Sequence, residues 1–138
     1  MVLPDGVTSI GNYAFEYCKS MAGVTLPAGL ADIGDHAFEY CDGLNSISVP
    51  AGAVRVGGYA FNGCEALESV ALPEGLVAIG EYAFSYCYSL SAVTVPDSVT
   101  EIGEGAFDDC DSLTLSVRRG SGAALYCEEN GIPCTYTD

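Results

Sequence analysis

With 138 residues and 49% hydrophobic content, the chain is long enough for one domain and one sizeable core. Nineteen acidic residues against Lys19, Arg55, Arg118 and Arg119 give a net charge of −15, which repels nucleic-acid phosphates and anionic lipid and makes both poor partners. No stretch approaches the ~18 uninterrupted apolar residues of a membrane span, so membrane insertion is not expected.

The chain opens on Met1-Val2-Leu3, without a basic region followed by an apolar one, so no secretory leader is read there. These residues interrupt a repeat rather than precede one, which reads as the start of a piece of a longer array. From Pro4 onward a 23-residue period governs the sequence. Gly11, Ala14, Phe15 and Cys18 return as Gly34, Ala37, Phe38 and Cys41, then from Gly57, Gly80 and Gly103. Such a strict period marks a solenoid, propeller or array. The proline frame gives repeats 4–26, 27–49, 50–72, 73–95 and 96–117, with a C-terminal cap at 118–138, all in one domain spanning 1–138.

Within each repeat, proline followed two residues later by glycine (Pro27 and Gly29, Pro73 and Gly75) is turn chemistry. A short extended segment follows, carrying Leu30 and Ile33 or their equivalents on one side of the coil. The repeated glycine after it permits a tight or left-handed turn, or close approach of the next coil. The Ala-Phe-x-x-Cys segment reads as a helical or 3₁₀ turn, because Phe38 and Cys41 are three apart and share a face. Its phenylalanines form a column that carries the largest apolar area of each coil. Leu44-x-x-Ile47-x-Val49 and its copies alternate as a strand with one buried face, and successive strands should pair in parallel into one long sheet. Outward positions of that sheet, such as Ser46, Ser48, Ala71 and Thr94, are small and uncharged.

The period breaks after Leu113, where Leu115 and Val117 continue a strand one residue short. Gly120-Ser121-Gly122 then leads into Ala123–Gly131, with a helix start signal, good helix formers and an Asn-Gly end. Cys134-Thr135-Tyr136 can add a last edge strand, completing the atypical terminal unit a solenoid needs.

The cysteines Cys18, Cys41, Cys64, Cys87 and Cys110 share one slot. Stacking makes them a column of buried free thiols with parallel Cβ vectors, unsuited to disulfides. The sequence offers little catalytic or metal chemistry. His36, the single histidine, stands in the slot of Tyr13, Tyr59 and Tyr82 and reads as a surface residue without a positioned nucleophile. Cys127 and Cys134 lack the second ligand pair that zinc requires. Glu104, Asp108, Asp109 and Asp111 are the one hard-cation candidate, but they lack the order of a calcium loop. No cofactor is expected, and no enzyme. Around the Ala-Phe turn lie Glu16, Glu39, Glu81 and Glu104 together with Tyr13, Tyr17, Tyr40, Tyr59, Tyr82, Tyr86 and Tyr88. These seven tyrosines are the candidate partner-binding surface, since a phenol ring offers large rigid contact area at low entropic cost.

The motif L-x-x-I-G-x-x-A-F-x-x-C-x-x-L-x-x-V-x-L-P, borne by Leu76, Ile79, Gly80, Ala83, Phe84, Cys87, Leu90, Val93, Val95 and Pro96, closely resembles the BspA-like leucine-rich repeats of bacterial and some protist surface proteins. Five registers of one motif carry the resemblance over essentially the whole chain, and the closing unit fits it too. It implies an α/β leucine-rich-repeat solenoid: a right-handed coil with one parallel sheet, short helical turns on the other side and a helical cap. It also implies a secreted or cell-surface protein, with a non-enzymatic role in adhesion or protein recognition. Two other roles fit the sequence: a purely structural spacer in a surface protein, and an acidic decoy for a basic partner. A further expectation concerns the N-terminal end. There Val7, Ile10, Phe15, Met21 and Val24 should be partly exposed beside an unpaired strand, favouring a homodimer through that end.

Overall fold

The computed structural model describes residues 1–137, so Asp138, the end of the expected cap, lies outside the described residues. In chain order the elements are β1 (Ser9–Ile10), β2 (Asp32–Ile33), β3 (Ser46–Ser48), β4 (Arg55–Val56), β5 (Ser69–Ala71), β6 (Ala78–Ile79), β7 (Ala92–Thr94), β8 (Glu101–Ile102), β9 (Thr114–Val117), α1 (Gly122–Asn130) and β10 (Cys134–Tyr136). They wind into the expected leucine-rich-repeat solenoid, with one correction. The short extended segments also pair from coil to coil, so there are two parallel sheets rather than one.

One sheet runs β1-β2-β4-β6-β8, the other β10-β9-β7-β5-β3. In the first, Ile10 stands opposite Ile33, Val56 opposite Ile79, and β1, β2, β4 and β6 each bury one apolar residue, while Ile102 of β8 is half-buried. Two residues are too few to show an alternation in sequence, but the period repeats them at the same height in every coil. In the second, Ile47 pairs with Val70 at the full period, whereas Val93 meets Leu115 one residue early. The missing residue after Leu113 is thus absorbed between the coils without loss of pairing.

Each coil turns a corner at its proline, whose carbonyl accepts from the amide three residues on (Leu30 to Pro27, 3.1 Å; Ala53 to Pro50, 3.0 Å). The glycines that follow the short strands are explained by close approach. A Cβ on Gly57 would stand 2.5 Å from the carbonyl carbon of Gly34, and Gly80 and Gly103 are crowded in the same way by the coil before them. Inside the coils Phe15, Phe38, Phe61, Phe84 and Phe107 stack at 5.2–5.4 Å between centroids. Tyr126 of α1 closes that column edge-on against Phe107 at 6.2 Å.

The cap forms as its sequence signals require. Ser121 Oγ accepts from the Ala124 amide at 3.1 Å, Gly131 ends α1 at φ +66°, and β10 pairs with β9. At the other end Val2 bridges to Thr25, with Leu3 N–H donating to Thr25 and Thr25 N–H to Met1. Met1–Leu3 therefore occupies the strand slot of a preceding coil, which corrects the expected unpaired strand at Thr25. Ile10 and Val24 are buried, while Val7, Phe15 and Met21 are half-buried. No helix among the described residues is long and apolar enough to cross a membrane.

Candidate functional site

The Ala-Phe segments differ from the helical or 3₁₀ turns the spacing predicts. Their amides alternate in direction. Ala14 N–H donates back to Gly11, and Cys18 N–H to Phe15, both at 3.2 Å within the coil. Tyr13, Phe15 and Tyr17 N–H instead donate forward to Asp35, Ala37 and Glu39 of the next coil, at 2.8–2.9 Å. The segment thus serves coil closure and coil stacking at once, and a helix, with all its amides pointing one way, cannot do that.

This alternation has a backbone consequence. Tyr13 and Tyr17 occupy the third positions of the turns Gly11–Ala14 and Phe15–Cys18, where a left-handed residue is required. Tyr13, Tyr17, His36, Tyr40, Tyr59, Tyr82 and Tyr86 all lie at φ between +54° and +63°. The two slots also hold Gly63, Gly105 and Asp109, likewise at positive φ. Glycine meets this backbone requirement without strain, whereas for a bulky side chain it is a costly outlier.

The rings so placed form columns on the turn face. Tyr13 stacks on His36 at 4.5 Å, His36 on Tyr59 at 4.8 Å, and Tyr59 on Tyr82 at 5.2 Å. Tyr17 stacks on Tyr40 at 5.1 Å, and that second column is interrupted at Gly63. Tyr86 resumes it, edge-on to Tyr88 at 6.1 Å. All seven tyrosines proposed from the sequence therefore lie on one face, and His36, read there as a mere surface residue, is an integral rung. Tyr13, Tyr17, Tyr40, Tyr86 and Tyr88 are exposed. Carboxylates run beside the rings. Glu104 pushes the Tyr82 phenol above its ordinary pKa, and burial, together with Asp109, does the same for Tyr88. Both remain neutral hydroxyls at physiological pH.

A polar row beneath the rings escaped sequence reading. Glu39, one of the acids around the Ala-Phe turn, is 7% exposed. Its carboxylate lies 2.7 Å from His36 Nδ1 and accepts from Asn62 Nδ2 at 2.6 Å. Asn62 Oδ1 in turn lies 2.5 Å from the buried Ser85 hydroxyl. Beside it Arg55 binds two carboxylates, Asp32 at 3.1 Å and Asp35 at 2.5 Å, in a cleft of about 260 Å³ bordered by His36, Tyr59 and Glu81.

The thiol column forms with every cysteine free; Cys41, Cys64 and Cys87 are buried as expected, whereas Cys18 and Cys110 at its ends are half-buried. Cys41, Cys64, Cys87 and Cys110 each donate to the phenylalanine carbonyl of the coil before, at 3.0–3.2 Å. Burial pushes the Cys41 thiol up to about 11 and Cys64 higher still, the reverse of an activated nucleophile. Cys127 is also buried, and that burial takes it to about 12, with Cys134 adding to the shift. Glu104, Asp108, Asp109 and Asp111 are exposed. Among the described residues no group of three or more His, Cys, Asp or Glu is placed to hold a metal ion.

Comparison with known proteins agrees with this geometry. The chain resembles solved leucine-rich-repeat structures. A Treponema pallidum leucine-rich-repeat protein matches at 40% identity and TM-score 0.81, over 85% of this chain and 56% of that one. One from Bacteroides ovatus matches at 37% identity and TM-score 0.78, over 84% of this chain and 32% of that one. A leucine-rich cell-surface protein of Faecalibacterium prausnitzii matches at 30% identity and TM-score 0.64, over 84% of this chain and 38% of that one. The chain thus spans a third to just over half of the length of these relatives. No curated protein matches it. The model of the BspA type leucine-rich repeat region matches residues 1–114 in six copies, and the chain belongs to that family.

Proposed function

We propose that this chain is a non-enzymatic protein-recognition module, and that the tyrosine columns of its turn face are the contact surface. One observation carries the reading. Seven aromatic residues are held at left-handed φ in slots where Gly63 and Gly105 satisfy the same fold. A residue held in that region costs on the order of 1–3 kcal/mol. An aromatic pair returns about 0.5–1.5 kcal/mol, less where the rings are exposed. Stability alone does not favour these rings over glycine, so a role at the surface accounts for them. Tyrosine suits protein contact, with an apolar body and a hydroxyl on a side chain of few rotamers.

We further propose a secreted or surface-displayed location and an adhesin-like role for the longer protein. The Faecalibacterium relative described as a cell-surface protein supports that location. Binding to an array of matrix and bacterial surface proteins, with Tyr17→Gly/Tyr86→Gly as the control, tests the module. The control should lose the partners that the native chain retains. Equal binding by both would overturn the assignment of the face.

A further inference from the structure

The turn face carries the chemistry of its partner. Its rings are spent on each other: Tyr13 and His36 are within 5° of parallel, His36 and Tyr59 within 6°. What the column of Tyr13, His36 and Tyr59 turns outward is therefore ring edge and phenol oxygen, not the open ring face on which a sugar stacks. The tyrosine hydroxyls of the columns take no hydrogen-bond partner among the described residues. Carboxylates of Glu81 and Glu104 stand beside them, close enough to hold the Tyr82 proton on. The strip is thus rich in acceptors and strongly negative. A side chain with donors and positive charge but no acceptor complements it, and the planar guanidinium is the best match.

The chain itself contains the geometry. Arg55 of β4 borders this face, and its guanidinium bridges Asp32 and Asp35 of the coil before, in a cleft that His36 and Tyr59 also line. Three coils on from Asp32 and Asp35, their positions are held by Glu101 and Glu104. Both are exposed, and neither has an ion-pair partner among the described residues. At the cap, Arg119 lies 4.2 Å above the Tyr136 ring, a guanidinium seated on tyrosine.

We infer that the partner segment docking on this face is a basic, arginine-bearing stretch of protein, its guanidinium groups set between the tyrosine columns and the flanking glutamates. This rests on the turn face being the contact surface. Opposite charge across the contact also speeds encounter and makes binding weaken with salt.

The probe is a display library of short random peptides selected on the intact chain. Bound peptides are then measured against Tyr17→Gly/Tyr86→Gly and against Glu81→Gln/Glu104→Gln. The expected result is a selected set enriched in arginine that loses about tenfold or more in affinity to either variant. Neutral or acidic peptides that still require Tyr17 and Tyr86 would overturn the arginine inference and leave the recognition module standing. Basic peptides indifferent to the tyrosines would overturn the inference as well, showing attraction to net charge alone. A selection yielding nothing that depends on the rings would overturn the module reading together with it.

Discussion

The ring of Tyr82 lies across Gly105, so close that a Cβ on the glycine would fall within the ring's own van der Waals shell. The two residues occupy the same slot of adjacent coils, Tyr82 at φ +54° and Gly105 at φ +67°. The aromatic column ends here because the next slot is the floor on which its last ring rests. Gly105→Ala therefore meets two penalties, a left-handed φ and a displaced ring. A loss of about 1–3 kcal/mol is expected in urea unfolding, and an unchanged midpoint would contradict this packing.

Tyr86 reverses the usual ranking of small substitutions. It sits at φ +58°, 46% exposed, with Tyr88 edge-on. Tyr86→Ala and Tyr86→Gly lose the same contact, but alanine keeps the left-handed strain and glycine does not. The glycine variant should be the more stable by about 1 kcal/mol. Glycine below alanine in thermal unfolding would mean that the backbone at this slot is not left-handed.

These two residues mark what the sequence conceals. Phe38, Leu44 and Cys41 are legible because one residue type recurs in one buried slot, and stacking follows from the period alone. The tyrosine slots are legible as slots. Their backbone is not, because tyrosine is the wrong residue for it and only Gly63 and Gly105 hint at the requirement. The row of Glu39 is hidden for a different reason. Its slot reads Glu16, Glu39, Asn62, Ser85, Asp108, with no shared type. The partners that bury Glu39 lie a whole coil away. The pairing of the short extended segments into a second sheet escaped because two residues carry no period of their own.

Phe61 is fully buried between Phe38 and Phe84, at 5.3 and 5.2 Å. Flanked by rings on both sides, its site has little freedom to collapse. Phe61→Ala is expected to cost about 3–5 kcal/mol. Phe15→Ala, at the half-buried end of the same column, should cost less. Equal losses at the two positions would show that the column is not continuous.

The thiols give the fold an alkaline limit. Burial raises Cys41 from 9.0 to about 11 and Cys127 from 9.0 to about 12. Above pH 9 the unfolded chain loses these protons while the folded chain keeps them. The folded state then binds more protons, and stability falls as pH rises. Each such thiol contributes about 1.4 kcal/mol per pH unit within its window, up to about pH 11 for Cys41. The urea midpoint should hold level up to pH 9 and decline steeply beyond it. At pH 7.5 a thiol reagent should reach the half-buried Cys134 and Cys18 before Cys41, Cys64, Cys87 or the buried Cys127. A midpoint that stays level to pH 11 would mean the thiols are open to water.

The polar row under the tyrosines is where coupling between coils should be measurable. Asn62 joins Glu39 of the coil before to Ser85 of the coil after, and all three side chains are buried. Asn62→Ala removes both contacts and leaves the Glu39 carboxylate with His36 alone, an unfavourable state for a buried charge. Left without a partner, a buried polar group costs about 1–3 kcal/mol, and a charged one more. Glu39→Leu removes the carboxylate that needs a donor. Once Glu39 is gone, the further loss of Asn62 has less to expose. The double variant should therefore be more stable than the sum of the single losses implies, with a coupling of about 0.5–3 kcal/mol. Strict additivity in a double-mutant cycle would show that Glu39 and Asn62 do not share this bond. A coupling of the expected sign would locate, inside one coil boundary, part of the specificity that keeps the repeats in register.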